Sequence, residues 1–251
     1  MAKVLFYDIE TAPNLAYVWG QYDQNVVQQY REWYLMCFGY RWEHQKKTHV
    51  VSLTDFELYN EDPENDIEVA KALWDLFDEA DIVVAHNGDR FDMRKANARF
   101  IVHGLSAPSA VQQIDTLKVA RRYFMFNSNK LGDLGQHLNL GKKESTGGFE
   151  LWVGCMKGEE KAWKRMIKYA RQDVNLLMDV YYKLRPFMNN HPNRNLINDT
   201  EGYCPTCSGS NLMRRGYKRN RTTSYIQLQC VDCGSYCRER MKSNEVTPKV
   251  V

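Results

Sequence analysis

The sequence lacks the features that several large classes of protein require. Its 251 residues contain no apolar run near the roughly 18 residues that a membrane-spanning helix needs. The first residues lead directly into a strand-like segment, so we expect no signal peptide. There is no internal repeat, no glycine-rich nucleotide-binding loop and no Ser-His-Asp order, and the histidines show no metal-ligand spacing. These absences argue against a membrane protein or a serine hydrolase and favour a cytoplasmic protein.

Cysteine is scarce, and its seven residues are unevenly placed. Four of them form two Cys-x-x-Cys pairs, Cys204 with Cys207 and Cys230 with Cys233, and 22 residues separate the pairs. Four thiolates with this spacing are typical of a closed, tetrahedral zinc site. Cys237 follows the second pair by four residues, and we interpret it as a spare thiol. The pattern predicts one structural Zn²⁺ and not the disulfide framework of a short secreted domain.

The overall composition is that of an ordinary globular protein, with 43% hydrophobic and 26% charged residues. The net charge of +3 conceals an asymmetry between two parts of the chain. Residues 1–201 carry 25 Lys and Arg against 28 Asp and Glu, whereas residues 202–251 carry 9 against 3. A basic end on an acidic body indicates a polyanionic partner. The length allows one full core and a small additional module.

Hydrophobic periodicity predicts alternating strands and helices over residues 1–187. Strands are predicted at residues 4–9 and 82–85, and a hairpin is predicted from 33–40 and 48–56. A further strand is predicted to end at Asp115, which we interpret as a helix cap. Helices are predicted at 67–80, 92–103 and 159–184, with a helical region at 116–140 broken by glycines and a loop at 142–148. The fold class is therefore α/β, a mixed sheet flanked by helices. Residues 188–201 are predicted to be a flexible linker, and residues 202–251 a small β module.

Acidic residues in three separated segments suggest a metal site. Asp8 and Glu10 point to the same face at the end of the first strand, since they are two residues apart. Asp92 follows the strand at 82–85, at the sheet edge where functional clefts of α/β proteins lie. Tyr169 and Asp173 are one helical turn apart. Each segment alone also has a structural explanation, as a solvated strand end, a helix start or a core tyrosine. Together they predict oxygen ligands for two Mg²⁺ or Mn²⁺ ions.

These motifs together resemble the DEDD exonucleases of the ribonuclease H-like superfamily, in the subgroup with a tyrosine in the third motif. They are also similar to the proofreading domains of family B DNA polymerases. The matching motifs are Asp8-Ile-Glu10-Thr11, Asn87-Gly-Asp-Arg-Phe91-Asp92 and Tyr169-Ala-Arg-Gln-Asp173. The second motif favours Asp92 over the neighbouring Asp89. The resemblance covers roughly residues 1–187 and leaves no room for a polymerase domain.

The resemblance implies a free-standing 3′→5′ exonuclease that acts with two metal ions. The resemblance implies that Asp8 bridges both ions and that Asp92 holds the second ion. It also implies that Glu10 and Asp173 lie nearer the attacking water, which Tyr169 orients. Further residues expected to contact substrate are Thr11, Asn87 and Phe91. The favoured substrate is DNA with a single-stranded or frayed 3′ end, and RNA is possible. Free-standing forms with a cysteine-rich tail resemble phage or bacterial proteins, which places the protein in the host cytoplasm if a phage encodes it.

The C-terminal module resembles a zinc ribbon and carries a basic run with one aromatic ring. Its candidate contacts with nucleic acid are Arg214, Arg215, Tyr217, Lys218, Arg219 and Arg221. A solvated hairpin tip or a protein-docking surface is an open alternative for this run. For the whole chain, two alternatives stay open. One is a structure-specific endonuclease of the same fold, and the other is a non-catalytic adaptor that binds nucleic acid.

Overall fold

The computed structural model describes residues 1–22, 25–141, 147–221 and 223–239. Residues 142–146 of the predicted loop and residues 240–251 of the predicted zinc module lie outside this part of the chain. Within it, no helix is both long enough and apolar enough to cross a membrane.

The chain forms ten strands and eight α-helices within the described residues. The strands are β1 (Val4–Thr11), β2 (Leu15–Tyr17), β3 (Gln28–Arg31), β4 (Leu35–Trp42), β5 (His49–Ser52), β6 (Ile82–Ala85), β7 (Gln112–Asp115), β8 (Leu212–Arg219), β9 (Ser224–Cys230) and β10 (Tyr236–Arg238). The helices are α1 (Leu58–Glu61), α2 (Ile67–Glu79), α3 (Asp92–Val102), α4 (Thr116–Tyr123), α5 (Leu131–His137), α6 (Glu150–Met156), α7 (Glu160–Leu184) and α8 (Arg194–Asn198).

A five-stranded mixed sheet with the order β5-β4-β1-β6-β7 forms the centre of the body. β4 runs antiparallel to both β1 and β5, which confirms the predicted hairpin. β1, β6 and β7 are parallel to one another. Because helices pack on both faces, the apolar strands are buried on both sides, as parallel sheets require. The predicted mixed α/β sheet is confirmed.

The alternation of β1 determines where its acidic residues lie. Val4 and Phe6 pack in a core that includes the C-terminal half of α7. The alternate residues Leu5, Tyr7 and Ile9 belong to a second core that includes α2. Successive side chains of a strand point to opposite faces. Asp8 and Glu10 therefore continue the face of Val4 and Phe6, on the side of the sheet where α7 packs.

Gly39 on β4 allows α7 to lie close to the sheet beside Asp8. Gly39 is the residue of β4 that pairs with Asp8. A Cβ atom at position 39 would lie 2.7 Å from the carbonyl oxygen of Ala170 and 2.9 Å from Cγ2 of Val174. Real Cβ atoms are not found at such distances from backbone, so a larger residue would push the helix away. The glycine thus brings the acids of β1 and the helix that carries Asp173 together.

Two elements of the body differ from their prediction. Gly132 and Gly135 were expected to break a helix, but both lie inside α5. A Cβ at Gly135 would lie 2.8 Å from Cδ1 of Leu176, so this glycine permits close packing of α5 on α7. The β2–β3 hairpin was not predicted, because neither of its strands alternates between buried and exposed residues.

The predicted linker has more structure than its sequence suggests. It contains α8, whose first residue, Arg194, is buried and donates from Nη1 and Nη2 to Glu43 at 2.7 and 3.0 Å. The backbone N–H of Arg194 donates to the carbonyl of Pro205 at 2.8 Å. This residue therefore connects the body to the C-terminal module. The division of the chain at residues 187 and 202 stays a prediction.

Candidate active site

The carboxylates of Asp8, Glu10 and Asp173 converge at the end of β1. One ligand oxygen of each residue lies within 4.8 Å of those of the other two. Glu10 and Asp173 are buried, and Asp8 is partly exposed. Negative charges gathered at this distance in a poorly solvated place are costly unless a cation neutralises them. A cluster of hard oxygen donors fits Mg²⁺ or Mn²⁺.

Asp92, the fourth predicted acid, lies beside this cluster but outside the group of three. Its Oδ1 accepts the backbone N–H of Ile9 at 3.1 Å, and Ile9 is the residue between Asp8 and Glu10. Asp92 is only 2% exposed. Burial raises the pKa of its carboxyl from 3.8 to about 7, although backbone N–H groups partly offset the effect. A cation beside Asp92 would favour the charged form of this carboxyl.

The turn that precedes Asp92 is held by a residue that the sequence identified only as a helix cap. Asp115 accepts the N–H of Leu117 at 2.9 Å, which confirms the predicted cap of α4. The same oxygen also accepts the N–H of Asn87 at 2.9 Å. Asn87 has a φ of 67°, a left-handed conformation that asparagine tolerates. The competing acid of this turn, Asp89, forms an ion pair with Lys118.

Tyr169 lies against the acidic cluster on the same helix face as Asp173. Its side chain is 7% exposed, and its ring packs edge-on against Trp152 with 6.2 Å between centroids. Burial raises the pKa of the Tyr169 hydroxyl well above 10, and the negative charges of Asp173, Glu10 and Asp8 raise it further. A hydrogen bond with Asp173 acts in the same direction. The hydroxyl therefore stays protonated at neutral pH and can orient a neighbouring water or phosphate oxygen.

Two clefts of different character flank the acidic cluster. A cleft of about 880 Å³ reaches Asp8 and Tyr169. Its further polar lining includes His86, Asn87, Arg121, Asn127, Ser128 and Lys130. A smaller cleft of about 390 Å³ is mainly apolar. Its lining includes Thr11, Pro13, Trp33, Lys95, Phe149 and Trp152.

The three residues predicted to contact substrate therefore lie in different places. Asn87 lines the polar cleft and Thr11 lines the apolar one. Phe91 is 39% exposed and its ring centroid is 5.7 Å from Nζ of Lys95, but it lines neither cleft. Of the aromatic residues of the apolar cleft, Phe149 and Trp152 belong to the start of α6 and Trp33 to a distant segment. They belong to no motif, so no local sequence signal could have brought them together.

The four predicted zinc ligands form a second compact cluster. The Sγ atoms of Cys204, Cys207, Cys230 and Cys233 all lie within 4.8 Å of one another. The closest pairs are Cys204 with Cys233 at 3.7 Å and Cys207 with Cys230 at 3.6 Å. Cys237 does not belong to the group. Four clustered sulfurs fit a tetrahedral thiolate site, and with the three-stranded sheet β10-β9-β8 they fit a zinc ribbon.

The basic run of the module lies mostly along β8, where strand pairing divides it between two faces. On one face Arg214 and Arg219 lie over the ring of Tyr217, with guanidinium carbons 5.1 and 5.6 Å from its centroid. On the other face Lys218 pairs with Tyr225, over which Arg238 of β10 lies at 4.5 Å. Arg238 is a cation that the basic run did not include.

Two other members of the run lie apart from these clusters. Arg215 donates from Nε to Oε1 of Gln229 at 2.9 Å, which links it to the same sheet. Arg221 is exposed and follows the end of β8. The predicted run therefore does not form one continuous surface.

Comparison with known proteins agrees with the fold of the body. A family model of the RNase_H superfamily matches residues 5–185. The chain belongs to this superfamily. Among solved structures, the RNase H-like body is similar to the family B DNA polymerase from the hyperthermophilic archaeon Pyrobaculum calidifontis, with a TM-score of 0.55 and 15% sequence identity. The match covers 74% of this chain and 25% of that polymerase, and at this identity it shows a common fold alone. No curated protein has a matching sequence.

Proposed function

We propose that the chain is a metal-dependent 3′→5′ exonuclease that removes nucleotides from the end of a nucleic-acid strand. The observation that carries this proposal is the convergence of Asp8, Glu10 and Asp173 within 4.8 Å, beside Tyr169, in an RNase H-like fold. The motifs that contain these residues resemble the tyrosine subgroup of the DEDD exonucleases. DNA with a single-stranded or frayed 3′ end is the favoured substrate, and RNA is the alternative to test.

In this proposal the carboxylates of Asp8, Glu10, Asp92 and Asp173 hold two Mg²⁺ or Mn²⁺ ions. When bound, such ions supply Lewis acidity and an activated water for the hydrolysis of a phosphodiester. The chain itself supplies the geometry. β1 fixes two carboxylates on one face, and Gly39 lets α7 bring the third to them. The N–H of Ile9 holds one oxygen of Asp92, which limits the rotation of that side chain.

Tyr169 is proposed to orient the attacking water. Its raised pKa keeps the proton on the hydroxyl oxygen, so the residue is a poor general base and a good hydrogen-bonding group. Contact with Trp152 on one side and the hydrogen bond to Asp173 on the other restrict the position of the ring. We therefore assign Tyr169 a positioning role that tolerates loss of the hydroxyl better than loss of a carboxylate.

The polar cleft is the proposed path of the sugar–phosphate backbone towards the acids. Arg121 and Lys130 supply positive charge for phosphates, and Asn87 and Asn127 supply amides for sugar or phosphate oxygens. These contacts do not depend on base identity. An enzyme that removes successive nucleotides needs such sequence-independent contacts.

The C-terminal module is proposed to be a zinc ribbon that holds nucleic acid away from the active site. Its zinc has a structural role, because four thiolates leave no open coordination position. The exposed cations on both faces of β8 supply phosphate contacts. The connection through Arg194 fixes this module near the body, so that both parts can hold one strand.

The proposal is tested by incubating 5′-labelled DNA and RNA oligonucleotides with the protein and Mn²⁺ and resolving the products. We expect a ladder that shortens from the 3′ end, no product in EDTA and no cleavage of circular single-stranded DNA. Cleavage of the circle would favour the endonuclease alternative. Tight binding with no product in either Mg²⁺ or Mn²⁺ would favour the adaptor and contradict the proposed activity.

A further inference from the structure

The β2–β3 hairpin exposes a concentration of large hydrophobic side chains. They are Tyr17, Val18, Trp19, Tyr22, Val26, Val27 and Tyr30. Trp19 is 87% exposed and Tyr22 is 76% exposed. The hairpin forms its own two-stranded sheet apart from the central one. A two-stranded hairpin is only marginally stable in water, and clustered apolar side chains on a surface usually mark a contact site.

The base of this hairpin is attached firmly to the strand that carries the first acidic motif. Oδ1 of Asn14 accepts hydrogen bonds from Nε2 of Gln29 and from the N–H of Trp33, both at 3.0 Å. The N–H of Ala12 donates to the carbonyl of Tyr34 at 2.9 Å. Hydrogen bonds across the base hold the hairpin at the end of β1, next to the acidic cluster.

A series of aromatic rings extends from the acidic cluster towards the hairpin. Tyr169 contacts Trp152, which lines the apolar cleft together with Phe149 and Trp33. Trp33 lies two residues beyond the end of β3, and residues 11–14 before β2 line the same cleft. Nζ of Lys95 lies 3.5 Å from the Trp33 ring centroid and adds one positive charge. The base of the hairpin therefore borders the apolar cleft.

This surface fits a ligand with several flat apolar groups and a negatively charged backbone. Every nucleobase has a π-face, so stacking on exposed aromatic rings binds unpaired bases without regard to sequence. The hairpin also carries the amides of Gln21, Gln28 and Gln29, which can contact base edges. The position of the hairpin base beside the acidic cluster favours a nucleic-acid strand over a protein partner, because the substrate strand of the proposed function ends at that cluster.

We propose that the β2–β3 hairpin binds unpaired bases of the substrate strand through Trp19 and Tyr22. This inference rests on the proposed nuclease function and adds a third strand-binding surface, distinct from the polar cleft and the zinc ribbon. Stacking takes place outside the acidic cluster, so it affects strands long enough to reach the hairpin and not the chemistry at a single phosphodiester.

The inference is tested by fluorescence anisotropy with labelled (dT)12 in Ca²⁺ and with a matched strand that contains abasic sites. Trp19→Ala is expected to weaken (dT)12 binding by about five- to a hundredfold, the range for loss of one stacked base. Trp19→Phe keeps a ring and should recover much of the affinity. On the abasic strand the Trp19→Ala variant should bind like wild type, because no base is present to stack.

Ile101→Ala is the control, because Ile101 is 77% exposed on α3 and takes no part in the proposed surface. It should leave both affinities unchanged. Trp19 is so exposed that its replacement removes no core packing, and unchanged thermal unfolding would verify this. Unchanged (dT)12 binding by Trp19→Ala, or an equal loss on the abasic strand, would overturn the inference and favour a protein partner for the hairpin.

Failure of this inference and failure of the proposed function give different results. If wild type releases nucleotides and Trp19→Ala binds and digests (dT)12 normally, the nuclease proposal stands and the hairpin proposal falls. If wild type releases nothing but its binding of (dT)12 depends on Trp19, the hairpin proposal stands and the nuclease proposal falls.

Discussion

Within the described residues, the molecule gathers candidate metal ligands at two places, and the two clusters depend on their surroundings in opposite ways. The carboxylates of Asp8, Glu10 and Asp173 lie in a body with buried cores on both faces of a five-stranded sheet. The cysteine cluster lies in a module with almost no core. Among its described residues, those buried are Cys204, Thr206, Cys230 and Ser235.

This difference indicates what a metal would contribute at each place. In the C-terminal module, burial of apolar side chains is too small to fold about 50 residues, so a metal held by the four cysteines would supply much of the stability. In the body, the hydrophobic core already fixes the carboxylates and overcomes their repulsion. A metal there would contribute chemistry, while the fold contributes position. Metal removal is therefore predicted to unfold the C-terminal module and only to inactivate the body.

The largest expected effect is the loss of zinc. Cys204→Ser should remove most of the roughly 10 kcal/mol or more that a structural zinc supplies, and β8, β9 and β10 should lose protection in amide hydrogen exchange. Cys237→Ser is the matched control and should leave protection unchanged. The body should keep its protection in both variants. Loss of amide protection in the body together with the ribbon would contradict the predicted difference between the two regions.

The next effect is on catalysis at the acidic cluster. Asp8→Asn and Asp173→Asn should each lower nucleotide release by about a thousandfold or more, since several kcal/mol of transition-state stabilisation depend on the ligands. The unfolding temperature should change little, because the core is untouched. Asp89→Asn is the control, as that acid pairs with Lys118 at the surface. Near-normal release by either cluster variant would remove these carboxylates from the mechanism.

The stability of the body should depend on pH through the buried carboxyl of Asp92. Its pKa is about 7 in the folded state against an ordinary value of 3.8, so the folded state binds the proton more tightly between these values. The metal-free protein should therefore lose stability as the pH rises from 4 to 7, by up to a few kcal/mol.

Asp92→Asn removes this titration and keeps an oxygen for the N–H of Ile9. The variant should be more stable than wild type at pH 8 in EDTA, yet inactive with Mn²⁺. Thermal unfolding of both proteins at pH 5 and pH 8 measures the difference. If wild type and Asp92→Asn differ in stability by the same amount at pH 5 and at pH 8, burial of this carboxyl is not costly.

The smallest effect concerns the two faces of the ribbon. A groove of about 530 Å³ between the ribbon and the segment before it is lined by Lys218 and Arg238. Arg214 and Arg219 lie on the opposite face against Tyr217. Alanine at Lys218 and Arg238 should reduce the salt slope of single-strand binding by about 1.4, as expected for two lost phosphate contacts. Alanine at Arg214 and Arg219, an equal change of charge, should reduce it less. Equal slopes would show that neither face is preferred.

The parts of the fold that the sequence predicts well are those that local pattern controls. The alternation of Val4, Phe6, Asp8 and Glu10 follows from strand geometry, and it places both acids beneath α7. The cysteine spacing likewise depends on residues close in the chain. Both metal clusters could therefore be located from sequence motifs.

The parts that were missed depend on contacts between distant segments. Gly135 looks like a helix breaker in sequence, but it lies in a helix that packs so closely on Leu176 that no larger side chain fits there. Arg194 looks like a linker residue until Glu43 is placed beside it. Asp115 was recognised as a cap, whereas its second bond to Asn87 joins elements 28 residues apart. Such tertiary contacts leave no periodic signal.

The convergent carboxylates are proposed to hold catalytic cations, and the cysteines a structural one. Anomalous diffraction from crystals grown with Mn²⁺ and a nucleoside monophosphate tests this claim most directly. We predict two manganese peaks about 4 Å apart, both near Asp8 and shared among Glu10, Asp92 and Asp173, with a zinc peak among the cysteines. A filled zinc site with no manganese at the carboxylates would contradict the claim.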